Sequence, residues 1–222
     1  MSEVKWEQWD AASAFAALVA GAVGGALERG WPSGNDPVAV ASFIAEHRTA
    51  ILGQSMLFLL SSAIYLWFLG SMRGFLARAE GGTGRISTVA FGAGIAWVVL
   101  GMVAQAFQVG QTMAASNGVQ PALMWTMAAT FAIANLPCAV MLTAVAVVSF
   151  RHAAFPVWLA WISAAAAAAQ LLLWCGTVVG SGPLAPNGWL TYVLYPLFLV
   201  WLVPTCIVMI RRLGGGKTGS PN

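Results

Sequence analysis

Three long stretches of this chain lack every charged residue. No Asp, Glu, Lys or Arg occurs in residues 49–72, 86–150 or 153–210. Of all 222 residues, 59% are hydrophobic and 8% are charged, whereas soluble domains carry about 25% charged residues. A soluble fold of this size needs a polar surface, and it could not bury so much apolar side chain. We therefore expect the chain to fold in lipid, where the solvent itself is apolar.

The hydropathy pattern predicts an all-α, polytopic transmembrane helix bundle. A helix that crosses a bilayer needs about 20 consecutive apolar residues, because each residue rises about 1.5 Å. The sequence meets this requirement six times, over residues 10–28, 50–70, 87–109, 129–150, 156–178 and 189–210. Together these spans form one transmembrane domain over residues 1–213. The Gly-rich residues 214–222 are expected to form a flexible cytoplasmic tail.

The connection between the first two spans carries a helical signal of its own. Asp36 and Pro37 are residue types preferred at the N-cap and at the first position of a helix. In residues 37–49 the apolar Val40 and Ile44 follow at helical spacing. The sequence predicts either an outer amphipathic helix at the membrane surface or a helical extension of the second span.

Basic residues are distributed unequally between the two sides of the predicted bundle. Six alternating spans put eight of the ten Lys and Arg residues on one side, namely Lys5, Arg73, Arg78, Arg85, Arg151, Arg211, Arg212 and Lys217. Arg29 and Arg48 lie on the other side. Because loops rich in Lys and Arg remain in the cytoplasm, we expect cytoplasmic N- and C-termini. The expected location is a cell (plasma) membrane, such as a bacterial inner membrane.

Small residues recur at every fourth position of the first span, at Ser13, Ala17, Gly21 and Gly25. Such a ridge allows two helix backbones to approach closely. It can serve packing inside the bundle or a homodimer between two copies of the chain. Packing inside the bundle is the commoner use, and the homodimer is kept as an alternative.

Five side-chain amides fall inside the predicted spans: Gln54, Gln105, Gln108, Asn135 and Gln170. With the expected orientation, each lies in the outer half of its span. We expect them to face the interior and to meet in one polar layer, because lipid cannot satisfy their hydrogen bonds. Such a layer either fixes helix packing through interhelical hydrogen bonds or lines a cavity for a small neutral or zwitterionic molecule.

His47 is a further candidate ligand or sensor residue. It lies in the run Glu46-His47-Arg48 at the outer end of the second span. Imidazole is the side chain best suited to change its charge near neutral pH. The alternative is that these three residues are ordinary interfacial charges at a helix end.

The sequence shows no residue set typical of catalysis or metal binding. By topology His47 and His152 lie on opposite sides of a core about 30 Å thick, which is too far for a shared metal or haem. Cys138, Cys175 and Cys206 form no CxxC pair. We therefore expect no catalytic residue, cofactor or metal. The net charge of +3 is spread out, so nucleic acid is not an expected partner.

The region after the first span resembles a known family. The sequence DPVAVASFIAEHRTAILGQSMLFLLSSAIYLWFLGSMRGFLARAE, which follows a glycine-rich first span, is similar to a family of uncharacterised bacterial six-span membrane proteins. That family is catalogued only as a domain of unknown function. The resemblance is clearest over residues 15–110. It implies the six-span topology and implies no activity.

Two functional hypotheses follow from the sequence. The first is a non-enzymatic binding, sensor or accessory module, whose partners are the lipid bilayer and a larger membrane complex. The second is a facilitator or carrier of a small neutral or lipophilic solute. Kinks expected at Pro137, Pro196 and Pro204 favour movement. The absence of charge at membrane depth argues against ion-coupled transport.

Overall fold

Seven α-helices and one short 3₁₀ helix (Gly176–Val178) make up the regular secondary structure in the described part of the chain. The computed structural model describes residues 3–27, 37–115, 121–180, 182–185 and 188–215, and side chains from 9 to 213 within these ranges apart from those of Pro37 and Pro121. The helices are α1 (Glu3–Ala26), α2 (Pro37–Glu80), α3 (Arg85–Ala114), α4 (Pro121–His152), α5 (Val157–Cys175), α6 (Trp189–Leu194) and α7 (Pro196–Gly215). The predicted N-cap Asp36 lies outside the described residues.

Six segments of these helices are long and apolar enough to cross a membrane, which confirms the predicted all-α bundle. They are Trp9–Ala26, Val38–Glu80, Arg85–Ala114, Ala122–His152, Val157–Val178 and Trp189–Leu213. Each of α1 to α4 packs against the helix that follows it, and α7 contacts both α1 and α5, which closes the bundle. The protein is therefore a multi-pass membrane protein.

The second span is continuous with the helix that precedes it. α2 has 44 residues, or about 66 Å at 1.5 Å per residue, which is about twice the thickness of the hydrocarbon core. Of the two alternatives for residues 37–49, the helical extension is confirmed.

The neighbouring helices are also longer than predicted at this end. α3 continues to Ala114 and α4 begins at Pro121, so the helices extend beyond the predicted boundaries at 109 and 129 by about one and a half and about two turns. A second apolar cluster holds the three helix ends together: Val40, Ile44 and Ile51, packed with Phe43, Ala115 and Met124. A hydropathy criterion for membrane spans does not detect amphipathic helix ends of this kind. We call this end of the bundle the extended end.

The last span is interrupted just before Pro196, where the sequence predicted a kink. α6 ends at Leu194, Tyr195 lies in a turn, and α7 begins at Pro196. Pro196 has no backbone N–H to donate to the preceding turn, which explains the break. By contrast, α4 and α7 continue through Pro137 and Pro204. α7 reaches Gly215 and so includes the first two residues of the predicted tail, whereas residues 216–222 lie outside the described residues.

The opposite end of the bundle carries the short turns and most of the charge. Arg212 donates hydrogen bonds from Nη1 to the carbonyls of Ala153 and Ala154 over 3.0 and 2.7 Å, which joins the end of α7 to the α4–α5 turn. Apart from Arg48, every described arginine lies toward this end: Arg73, Arg78, Arg85, Arg151, Arg211 and Arg212. We call it the basic end.

At the basic end, a side chain from α2 caps the start of α3. The Glu80 carboxylate accepts hydrogen bonds from the backbone N–H groups of Ile86 and Ser87, both over 2.8 Å, and from the Ser87 hydroxyl. These N–H groups belong to the first turn of α3, where no helical carbonyl is available. The cap therefore fixes the tight α2–α3 turn.

The small residues of the first span pack against α2. The Ser61 hydroxyl donates a hydrogen bond to the Ala17 carbonyl over 2.7 Å, and a Cβ added at Gly21 would lie 3.3 Å from the Ser61 Oγ. The ridge thus serves packing inside the bundle at these two positions. The homodimer stays a prediction, and of the four ridge residues only Gly25 is exposed.

The main core is tightest where α2, α3 and α4 meet. A Cβ added at Gly94 would lie 2.7 Å from the Leu69 Cδ2 and 3.0 Å from the Met141 Sδ. Next to this point, aromatic rings join α7 to α2 and α3. The ring centroid of Trp97 on α3 lies 5.4 Å from that of Tyr65 on α2 and 4.8 Å from that of Phe198 on α7.

We expect Gly94→Ala to destabilise the protein by about 1–3 kcal/mol, because the methyl group overpacks the contact with Leu69 and Met141. Gly92→Ala is the matched control on the same helix, since its Cβ would meet nothing within 4 Å. It should be neutral or stabilising by up to about 1 kcal/mol through helix propensity. Thermal unfolding in detergent measures both, and equal effects would contradict the described packing of α3.

Candidate binding site

Polar side chains from α2 and α3 form a buried group between the main core and the apolar cluster of the extended end. Its members are each at most 5% exposed: Gln54, Ser55, Gln105, Gln108, Gln111 and Thr112. We call these six residues the polar layer. None of them carries a charge, and among the described residues no charged side chain is buried.

The spacing of three amides on α3 explains why they share one face. Gln105, Gln108 and Gln111 follow one another at intervals of three residues, so all lie on the same side of the helix. At about 1.5 Å per residue they cover about 9 Å of helix. They therefore form a short ladder of amides along α3.

The middle amide of this ladder links α3 to α2. The Gln108 Nε2 donates hydrogen bonds to the Gln54 Oε1 over 3.3 Å and to the Ser55 Oγ over 3.0 Å. The Thr112 hydroxyl donates to the backbone carbonyl of Gln108 over 2.7 Å. This part of the layer is a structural connection between two membrane helices.

The two flanking amides are not satisfied in this way. The Gln105 Oε1 and both the Oε1 and the Nε2 of Gln111 are buried without a hydrogen-bond partner in the described part of the chain. Each such atom costs about 1–3 kcal/mol. The layer therefore offers one acceptor on one side of the Gln108 link, at Gln105, and one acceptor and one donor group on the other side, at Gln111.

Three other buried polar atoms also lack a partner among the described residues. They belong to single side chains on different helices: the Tyr65 hydroxyl, the Trp201 Nε1 and the Gln170 Oε1. The polar layer differs because three such atoms lie within about two turns of one helix.

The structure does not bring Gln170 into the polar layer. The rings of Phe150 on α4 and Trp161 on α5 lie 5.1 Å apart, so these two residues lie at the same level. Because α5 runs antiparallel to α4, Gln170 lies level with Met141, each nine residues further along the bundle. Met141 in turn lies against Gly94 of α3. Gly94 precedes Gln108 by 14 residues, or about 21 Å of helix. The single layer of five amides expected from the sequence is therefore split by depth.

Asn135 and His47 also lie apart from the layer. Asn135 is half-buried on α4, and no hydrogen bond joins it to the layer in the described structure. His47 is half-buried on the extended part of α2, with its ring 4.7 Å from that of Phe43 in an edge-to-face contact. Its neighbour Arg48 points its Nη2 at the Met113 sulfur, 3.1 Å away. Of the six predicted candidates, Gln54, Gln105 and Gln108 therefore belong to the polar layer.

Three members of the layer were not among the predicted candidate residues, namely Ser55, Gln111 and Thr112. Gln111 was overlooked because the third span was predicted to end at residue 109, although its spacing of three from Gln108 was a usable signal. Ser55 gave no signal, since a lone serine beside a glutamine on an apolar helix has no preferred partner in the sequence.

Two grooves on the surface of the described structure lie elsewhere. A groove of about 290 Å³ is bordered by Asp10, Trp67 and Ser71, and a groove of about 710 Å³ by Arg85, Arg151 and neighbours. No residue of the polar layer lines either of them. The layer therefore belongs to neither groove, and its six neutral side chains are buried in the interior of the bundle.

Comparison with protein-family models, with curated proteins and with solved structures found no match to the chain. The resemblance to an uncharacterised six-span family stays an expectation from the sequence. The fold and the site define a multi-pass α-helical membrane protein with a buried, neutral polar layer.

We expect Gln108→Met to destabilise the protein by about 1–2 kcal/mol, because it leaves the Gln54 Oε1 buried without a donor. A double-mutant cycle with Gln54→Met should give a coupling energy of about 0.6–1.7 kcal/mol, the range of measured interhelical hydrogen bonds. Unfolding in detergent measures both values.

Gln170→Met is the matched control for the cycle, since it removes an equally buried amide that makes no link between α2 and α3. It should be neutral or stabilising. A coupling energy of zero between positions 54 and 108 would contradict the described hydrogen bond.

Proposed function

We propose that the protein is a non-enzymatic membrane module that binds a small neutral molecule at the polar layer. The observation that supports this is the set of three buried, unpartnered amide atoms on Gln105 and Gln111. Buried polar groups in proteins are almost always hydrogen-bonded, so each exception requires an explanation, and a bound molecule that supplies the partner is the one proposed here. A ligand that satisfies these atoms recovers the free energy that their burial costs.

The unpartnered atoms define the chemistry of the ligand. The two Oε1 atoms of Gln105 and Gln111 require hydrogen-bond donors, and the Gln111 Nε2 requires an acceptor. A charged ligand is disfavoured because the polar layer offers no opposite charge to pair with it. The ligand class that fits is a neutral molecule with both donors and acceptors, such as a carboxamide, a urea or a polyol.

The position of the layer favours a sensor or accessory role. The Gln108 link to Gln54 and Ser55 lies between the two flanking amides, so a ligand bound there acts on the α2–α3 contact. α2 continues as one helix from this contact to the extended end. In this proposal, occupancy of the layer alters the α2–α3 contact, and α2 carries that change to the extended end, where a partner in a membrane complex would read it.

A facilitator or carrier is the second candidate, and one observation favours it. The helix of the last span is interrupted at Tyr195, directly before Pro196, and a kink at this point is a place where the span can bend. Protein-dependent flux of the ligand through reconstituted vesicles would favour this candidate, whereas binding without flux favours the sensor or accessory role.

We further propose that the basic end faces the cytoplasm of a cell membrane, which places both termini inside. Thr83→Cys and Ser42→Cys test this in a protein whose three native cysteines are replaced, since both positions are exposed at opposite ends of α2 and its turn. An impermeant thiol reagent added to intact cells should label position 42 and leave position 83 unlabelled. The reverse pattern would contradict the orientation.

We expect native mass spectrometry of the protein, purified gently from its own membranes, to show a bound small molecule of defined mass. Gln111→Met and Gln105→Met should each weaken its binding, by about 10- to 100-fold for Gln111→Met, because that change removes two hydrogen bonds worth roughly 1–3 kcal/mol together. Gln170→Met serves as the control and should retain the molecule, since its amide lies outside the layer. A wild-type protein without any bound molecule, or equal retention by Gln111→Met, would contradict the proposal.

A further inference from the structure

The larger surface groove has an apolar part and a basic part. It has a volume of about 710 Å³ and runs along α3, α4 and α5 toward the basic end. Its apolar part includes Val89, Val140 and Leu171, which are 51%, 39% and 42% exposed. Its basic part carries Arg85 and Arg151. This combination of an apolar channel and two cations differs from the neutral polar layer and lies on another surface of the bundle.

The dimensions of the groove match one leaflet of a bilayer. Val140 and Arg151 border it on α4, and the 11 residues between these positions correspond to about 16 Å of helix. One leaflet of hydrocarbon is about 15 Å deep, half of the roughly 30 Å core. When the apolar part lies in hydrocarbon, both arginines therefore lie at the level of the lipid headgroups.

The two arginines are available for an external ligand. Both side chains are exposed, and neither has a hydrogen-bond or ion-pair partner among the described residues. Glu80 also lines the groove. Its carboxylate accepts the hydrogen bonds of Ile86 and Ser87 and makes no ion pair with either arginine in the described structure. The guanidinium group offers a fork of donors that matches the oxygens of a phosphate.

We propose that this groove binds an anionic phospholipid. Its phosphate contacts Arg85 and Arg151, and one acyl chain lies along Val89, Val140 and Leu171. Basic pockets between membrane helices are suited to anionic headgroups. A zwitterionic phospholipid carries an additional cation in its headgroup, which the two arginines repel. The groove is therefore expected to distinguish anionic from zwitterionic phospholipids by the charge of the headgroup, even when their acyl chains are the same.

The test is a lipid titration of the purified protein in detergent, followed by native mass spectrometry. Phosphatidylglycerol and phosphatidylcholine with the same acyl chains are the two probes. Wild-type protein should bind phosphatidylglycerol more tightly. Arg85→Gln and Arg151→Gln should each weaken that binding about 5-fold, and the double variant roughly 30-fold, the effect expected for one and two cations near an anionic lipid.

Arg211→Gln is the matched control, because this exposed arginine lies at the same end of the bundle but does not line the groove. It should leave the preference unchanged. A second variant, Val140→Trp, fills the apolar part of the groove and should weaken binding of both lipids. Three results would overturn the proposal: equal binding of the two lipids by the wild type, an unchanged preference in the double arginine variant, or an equal loss in Arg211→Gln.

Discussion

Lipid supplies no hydrogen-bond partner, and the arrangement of this chain follows from that constraint. The backbone satisfies it by forming helices over most of the described residues. The side-chain amides have to satisfy it across helices, and Gln108 does so by donating to Gln54 and Ser55 on α2. This contact fixes the register of α2 against α3. The unpartnered atoms of Gln105 and Gln111 have no hydrogen-bond partner in the described part of the protein. They therefore mark the place where another molecule is expected to supply the partners.

The polar layer also divides the molecule into two apolar parts. The main core toward the basic end is held by close contacts such as those around Gly94, and the smaller cluster around Val40 and Ile44 holds the extended end. The long helix α2 passes through both parts and through the layer between them. A ligand in the layer therefore lies where the two parts join. The basic groove lies toward the other end of the bundle, so its lipid is expected to anchor the protein independently of that ligand.

The sequence predicted the number of spans and the class of fold because both depend on hydropathy, which is a local property. It also predicted a helix over residues 37–49, with an extension of the second span as one of two alternatives, from Asp36 and Pro37 at its start and the spacing of Val40 and Ile44. The depth of each amide in the membrane depends on how neighbouring helices are shifted against one another. The spacing of residues within one helix does not predict that shift. Gln170 was therefore placed with Gln108, although about 21 Å of helix separates their levels. Gln111 was missed because the end of α3 is stabilised by contacts with α2 and α4, and not by its own hydropathy.

The central claim is that a molecule other than this chain completes the hydrogen bonds of the polar layer. A high-resolution experimental structure of the protein, extracted in its native lipids without ligand exchange, tests it most directly. The account predicts density for a bound organic molecule within hydrogen-bond distance of the Gln105 Oε1 and of the Oε1 and Nε2 of Gln111. A layer in which these three atoms bond to other side chains of the protein, or contact only packed apolar groups, would contradict it.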